Sequence, residues 1–175
     1  MIASKNIYIR PMELADVQIK VKWLNDEQVR KTLAFADYPV SELATDAWLR
    51  KSAQDMSRKD FIICLTDDHT KIGFCGIKSI DLVNSKAETY ICIGEVTYWG
   101  KGFGLEIKKA LLEYSFTHLN LNKIYSYHQA DNDAMIRINM KLHGQQEGLL
   151  REEVRQNGVL KDMVRIGILK KDYYQ

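Results

Sequence analysis

Cysteine is too scarce in this chain to staple the fold or ligate an ion. Cys64, Cys75 and Cys92 are an odd number, none belongs to a Cys-x-x-Cys pair, and each lies in an apolar, strand-like run. Three buried free thiols are expected, not a disulfide framework. Histidine is equally thin: His69, His118, His128 and His143 are scattered, with neither metal-ligand spacing nor a Cys/His nucleophile pair, so no metal is expected. Proline occurs only at Pro11 and Pro39 and no glycine- or proline-rich linker divides the 175 residues, which predicts one domain spanning 1–175 with a well-formed core. No stretch of about 18 apolar residues is available to span a bilayer, and Met1 to Asn6 lack the apolar centre of a signal peptide; a cytoplasmic protein with no membrane partner is the expectation. Excess charge is lacking too. Twenty-five Lys and Arg against 23 Asp and Glu leave +2, dispersed along the chain, which speaks against nucleic-acid binding driven by overall charge.

Glycine amounts to ten residues, yet three fall within five positions, in Trp99-Gly100-Lys101-Gly102-Phe103-Gly104-Leu105. An alternating run, 87–94, precedes this segment and a helix-period run follows it, giving strand, glycine-rich loop, helix. That order makes an anion cradle: glycines let the backbone approach a ligand closely, and the first helical turn offers unpaired N–H groups at its positive end. Lys101 adds a charge at the rim. A P-loop is excluded because no Ser or Thr follows Lys101, and the dinucleotide fingerprint is disfavoured because Ile107 stands where its third glycine belongs.

The remaining pattern, Q/R-x-x-G-x-G/A, is the pyrophosphate loop of the GNAT N-acetyltransferases, which this segment resembles. Trp99 stands in place of Gln or Arg, a departure seen in the ribosomal-protein-acetylating branch. Ile7-Tyr8-Ile9-Arg10-Pro11 and Trp23 to Arg30 resemble the amino-terminal strand and first helices of that branch, and Asn132 to Arg137, Glu147-Gly148-Leu149-Leu150-Arg151-Glu152 and Asn157-Gly158 with Lys161-Asp162 resemble later parts of the family, all in the right order. The resemblance implies an α+β GNAT acyl-CoA N-acyltransferase fold, a mixed, mostly antiparallel sheet flanked by helices. The periodicity agrees: strands over 7–10, 61–66, 71–80, 87–94, 123–129, 146–155 and 159–170, helices within 13–34 and 41–57 and over 103–119 and 133–142. In the helix after the loop, Ile107, Ala110, Leu111 and Tyr114 form the packing stripe, with Lys108, Lys109 and Glu113 largely outside it.

The resemblance further implies acetyl-CoA as cosubstrate, its pantetheine arm on the main chain of Cys92, Ile93 and Gly94. Its pyrophosphate falls on Trp99, Gly100, Lys101, Gly102, Phe103, Gly104 and Leu105, Asn132 lies near the thioester, and Lys141 reaches toward the phosphates. A homodimer is expected by the same analogy.

Acetyl transfer to an amine needs that amine uncharged, whereas a lysine-like amine has a pKa near 10.4, so a proton acceptor is useful. Glu88, eleven residues ahead of Trp99, is the candidate base, at the spacing used by the histone-modifying branch; Glu95 and Glu147 are weaker candidates. A thiol pKa near 8.5 lets coenzyme A depart without a strict general acid. Many family members place a Tyr seven residues after the motif asparagine, but here that position is Asn139, so no acid is assigned; Tyr125 and Tyr127 read equally as packing residues. By the resemblance the early helices wall the acceptor side, where Trp23, Phe35, Tyr38 and Trp48 fall, and aromatic core packing explains most of these residues equally well. A small-molecule amine or a protein amino terminus fits, as does an amino-sugar nucleotide of surface-glycan synthesis; a coenzyme-A-binding module without catalysis is the reading from a different class.

Overall fold

The computed structural model describes residues 1–33 and 39–175. Phe35 and Tyr38 lie outside the described residues. Eight strands form one sheet: β1 (Ile2–Ala3), β2 (Ile7–Pro11), β3 (Lys59–Leu65), β4 (Lys71–Asp81), β5 (Lys86–Ile93), β6 (Lys123–Gln129), β7 (Gln145–Gln156) and β8 (Val159–Leu169), in the order β1-β2-β3-β4-β5-β6-β8-β7. Every neighbouring pair is antiparallel except β5 with β6. The helices are α1 (Val17–Asn25), α2 (Glu27–Arg30), α3 (Glu42–Ser52), α4 (Phe103–Thr117), α5 (Asp133–Lys141) and α6 (Lys170–Tyr173). The architecture is the expected α+β arrangement, with the short β1 as an addition.

Local chemistry sets the breaks. The stretch expected to be helical within 13–34 divides at Asp26, whose carboxylate accepts from the amides of Gln28 and Val29 at 2.9 and 3.0 Å and so starts a new helix. Ser41 caps α3 in the same way, its Oγ accepting from the Ala44 amide at 3.1 Å. Asn157 and Gly158 take φ of 50° and 80°, the left-handed pair that closes a tight β7–β8 hairpin.

The sheet is buried on both faces. Ile7, Ile9, Ile63, Cys75 and Ile77 pack against Ile107, Leu111 and Phe116 of α4. On the opposite face Ile62, Cys64, Phe74 and Cys92 meet Trp23 and Leu24 of α1 and Leu49 of α3. Burial on both sides explains why β3 reads as the continuous apolar run Phe61-Ile62-Ile63-Cys64. Of the two readings open for Trp23, acceptor side or core, the core one holds: it is 1 % exposed and stacked on Phe74 at 6.3 Å.

One irregularity positions everything that follows. The parallel ladder of β5 and β6 holds for only three pairs, Lys86 with Lys123, Ala87 with Ile124 and Glu88 with Tyr125. Beyond them β5 continues on β4 as far as Ile93, while β6 continues on β8 as far as Gln129. The sheet therefore splays open after Glu88, and the amino-terminal ends of α4 and α5 flank the gap.

Candidate active site

The splay opens into a cleft of about 410 Å³ walled by β5, the glycine loop, the start of α4 and one face of α5. Gly102 is the residue before α4 and takes φ 89°, with no side-chain cap on the helix. A Cβ there would meet open space, so glycine is required by its dihedral and not by crowding. Without a capping side chain, the first-turn amides keep their positive end for a ligand in the cleft. Trp99, Gly100, Gly102, Phe103, Gly104 and Leu105 line it, while Lys101 does not; its ammonium lies 5.1 Å over the Tyr98 ring. Across the cleft stand Lys141 and Arg137 of α5. Arg137 went unassigned in the sequence because a helix arginine four residues after an aspartate reads as a surface ion pair; its separation from Asp133 is a loose 3.9 Å.

Trp99 has a definite job. Its indole N–H donates to the Ile93 carbonyl at 2.8 Å, tying the loop to the end of β5. The Gly94 amide donates the other way, to Ile72 on β4 at 2.8 Å. Because main-chain groups alternate sides along a strand, Ile91 and Ile93 face the splay while Cys92 and Gly94 face β4. Of the expected Cys92, Ile93 and Gly94, Ile93 thus lies on the open edge together with Ile91, Cys92 lines the cleft with its main chain turned to β4, and Gly94 does not line it. Gly94 instead allows close packing, since a Cβ would collide with the Trp23 ring. Asn132 begins α5, its Oδ1 accepting from the Met135 amide at 3.2 Å, and it lines the cleft beside Ile91.

A second chamber, about 420 Å³, shares Thr32, Ile91, Asn132 and Met135 with the first. Glu88 lines it, 15 % exposed and held by Lys78 at 2.9 Å. The weaker alternatives are occupied elsewhere: Glu95 accepts from Trp23 Nε1 at 2.8 Å and Lys22 at 3.0 Å, and Glu147 is ion-paired with Lys123 and Arg165. Tyr127 lines the chamber, whereas Tyr125 lies under the Arg165 guanidinium at 4.3 Å.

Behind the chamber runs a buried polar chain absent from the sequence reading. Lys108, placed outside the α4 packing stripe by its type, is 1 % exposed; its ammonium donates to Thr89 Oγ1 at 2.7 Å and reaches Ser126 Oγ at 3.4 Å. Burial pulls its pKa down to about 7. Ser126 lies 2.9 Å from His128 Nε2, and Asn139 Nδ2 lies 3.0 Å from the same nitrogen while also donating to the Met135 carbonyl at 2.8 Å. With the Asn139 amide oriented by that carbonyl, Nε2 is the acceptor and the imidazole proton sits on Nδ1. Burial, with Lys108 nearby, lowers the His128 pKa to about 3, keeping it neutral. Asn139, at the position where a tyrosine acid is common, is fully buried in this chain. Gln129 Nε2, also at the chamber wall, is buried without a hydrogen-bond partner among the described residues.

An acetyltransferase (GNAT) domain model matches residues 6–145. The chain belongs to the GNAT acetyltransferase family. It is 31 % identical over 174 residues to p20 of Bacillus licheniformis, described as an uncharacterised N-acetyltransferase, covering 97 % of this chain and 96 % of that one. It is 32 % identical over 172 residues to a spermidine N(1)-acetyltransferase of Vibrio cholerae, covering 97 % and 96 %. The crystal structure of spermidine N-acetyltransferase from Vibrio cholerae in complex with CoA and spermine superposes with a TM-score of 0.89 at 26 % identity, over 97 % of this chain and 98 % of that one.

This GNAT enzyme is an acetyl-CoA-dependent acyltransferase, and its residues fit that cosubstrate. The open edge offers the Ile91 amide and carbonyl and the Ile93 amide to an amide-bearing arm, the Ile93 carbonyl being held by Trp99, and the α4 terminus suits a diphosphate. Acetyl-CoA supplies the acyl group as an activated thioester. Cys92, the thiol bordering the cleft, is pushed up to about 12 by burial, so it is no thiolate nucleophile at neutral pH. Among the described residues no cluster of His, Cys, Asp and Glu fit to hold a metal occurs, and no helix is long and apolar enough to cross a membrane.

Proposed function

We propose that the enzyme acetylates the primary amine of a small molecule by direct attack of that amine on the thioester, with Glu88 accepting the amine proton directly or through water. The observation carrying this reading is the wall that the coenzyme cleft and the Glu88 chamber have in common, made by Thr32, Ile91, Asn132 and Met135, which sets the two side by side. A thioester carried along the splay would present its carbonyl to that junction. Glu88 closes the base of the splay, and Lys78 fixes its carboxylate. The Cys92 thiol supports direct attack over a covalent acyl-enzyme.

Relatives described as spermidine N(1)-acetyltransferases favour a small-molecule acceptor over a protein amino terminus. The ribosomal-protein-acetylating branch rests on Trp99 and the amino-terminal residues, and we rank it below the small-molecule reading for that reason. Incubation with acetyl-CoA and a panel of small amines, amino-terminal peptides and amino sugars, followed by free-thiol release, tests the assignment. Thiol release dependent on a small amine is the expected result. Coenzyme binding without turnover of any acceptor would make the chain a binding module, and selective turnover of peptides would reverse the acceptor assignment.

A further inference from the structure

A third cavity, about 390 Å³, lies on the α1 and α3 face of the sheet and adjoins the Glu88 chamber at Lys78 and Tyr90, which line both. Three cations line it, Lys20, Arg58 and Lys78, together with Trp48 and Phe74. Two of the three are neutralised. Arg58 makes a two-pronged pair with Asp60 at 2.8 Å for each contact, and Lys78 holds Glu88.

Lys20 is different. It is only 5 % exposed, and among the described residues its ammonium meets no oxygen acceptor. Its contacts are the Met12 sulfur at 3.8 Å, the Trp48 ring at 3.2 Å from the centroid and the Phe74 ring at 5.0 Å. Among the described residues the nearest carboxylate acting on this buried ammonium is Asp60, which is beyond hydrogen-bond reach and already pairs with Arg58, so sulfur and π faces are its direct support and no paired counter-charge offsets its desolvation. Its pKa, brought down to about 7 chiefly by burial, has the same origin.

We infer that this cavity is the tail pocket of the acceptor, and that the acceptor carries an anionic group, a phosphate or carboxylate, which pairs with Lys20 while its amine lies at Glu88. The inference rests on the small-molecule reading above and narrows it. A polyamine is the wrong charge for such a pocket: its distal ammonium groups would face Lys20, while the nearby carboxylates Asp60 and Glu88 are already engaged by Arg58 and Lys78.

The test compares matched amines with acetyl-CoA: ethanolamine, O-phosphoethanolamine and β-alanine, glucosamine with glucosamine 6-phosphate, and spermidine. The native enzyme is expected to favour anionic members over uncharged partners by about tenfold or more in kcat/KM, the better of the phosphate and carboxylate arms naming the group. In Lys20→Met that ratio should collapse toward one while coenzyme A still binds. A native ratio of one or less, a preference for spermidine, or a ratio that survives in K20M overturns the tail pocket. If coenzyme A does not bind or no amine turns over, the parent reading fails instead. Lys20 is then judged by calorimetry of glucosamine 6-phosphate with native protein and K20M: heat lost in the variant supports the pocket, and no heat with native protein refutes it.

Discussion

The indole N–H of Trp99 donates to the carbonyl of Ile93 across 2.8 Å, so the first residue of the glycine loop is fastened to the last residue of the strand that edges the splay. Loop and strand then present their ligand-facing groups as one surface. Trp99→Phe keeps most of the ring and removes the donor. With a hydrogen bond of this kind contributing about 1 kcal/mol, coenzyme A should bind about fivefold more weakly, measured by titration calorimetry. Unchanged affinity would show that the fastening has no part in coenzyme binding.

Gly102 makes a different prediction because its neighbourhood is empty. Gly102→Ala adds a methyl group that touches nothing but forces an L residue to φ 89°, a strain of about 1–2 kcal/mol. The variant should unfold at lower temperature and bind coenzyme A less well. A thermal melt and a titration matching the native protein would mean the loop relaxes without loss.

Glu88→Gln should lower kcat by about 10²-fold or more at neutral pH, the usual range for a general base, with coenzyme A affinity nearly unchanged. The loss should shrink as the pH approaches the acceptor's own pKa and solvent deprotonates it. A pH–rate profile parallel to that of the native enzyme would remove Glu88 from the proton path.

Lys108 links burial to pH-dependent stability. Its folded pKa of about 7 lies below the ordinary lysine value of 10.5, so between those limits the unfolded chain binds the extra proton and native stability rises with pH. The destabilisation from burying the charge is present in full below about pH 7 and fades as pH climbs toward 10.5. Lys108→Met, measured by denaturant unfolding at several pH values, should reduce the slope within that window by about 1.4 kcal/mol per pH unit. Lys20, lowered for the same chief reason, keeps part of the slope in the variant. Equal slopes would place the Lys108 pKa near its ordinary value.

These residues also mark where sequence reading stops. The strand-loop-helix unit was legible because Gly100, Gly102 and Gly104 punctuate two clear periodicities, and the β7–β8 turn because Asn157-Gly158 adopts left-handed dihedrals readily. Lys20 and Lys108 were not, since a charged residue is read as solvated unless its partners are known, and Thr89, Ser126 and Trp48 come from distant segments. The same holds for Asn139: a missing tyrosine could be seen, but not the bonds to His128 and Met135 that replace its setting. That Ile91 and Ile93 face the splay while Cys92 and Gly94 turn to β4 needed the Gly94-to-Ile72 hydrogen bond, which fixes which way the strand faces.

A crystal structure with coenzyme A tests the central assignment most directly. The diphosphate is expected against the amides of residues 100–105 and the pantetheine arm between β5 and β6, hydrogen-bonded to the main chain of Ile91 and Ile93 with its sulfur beside Asn132. Density for the nucleotide on another face, or a pantetheine arm outside the splay, would contradict it.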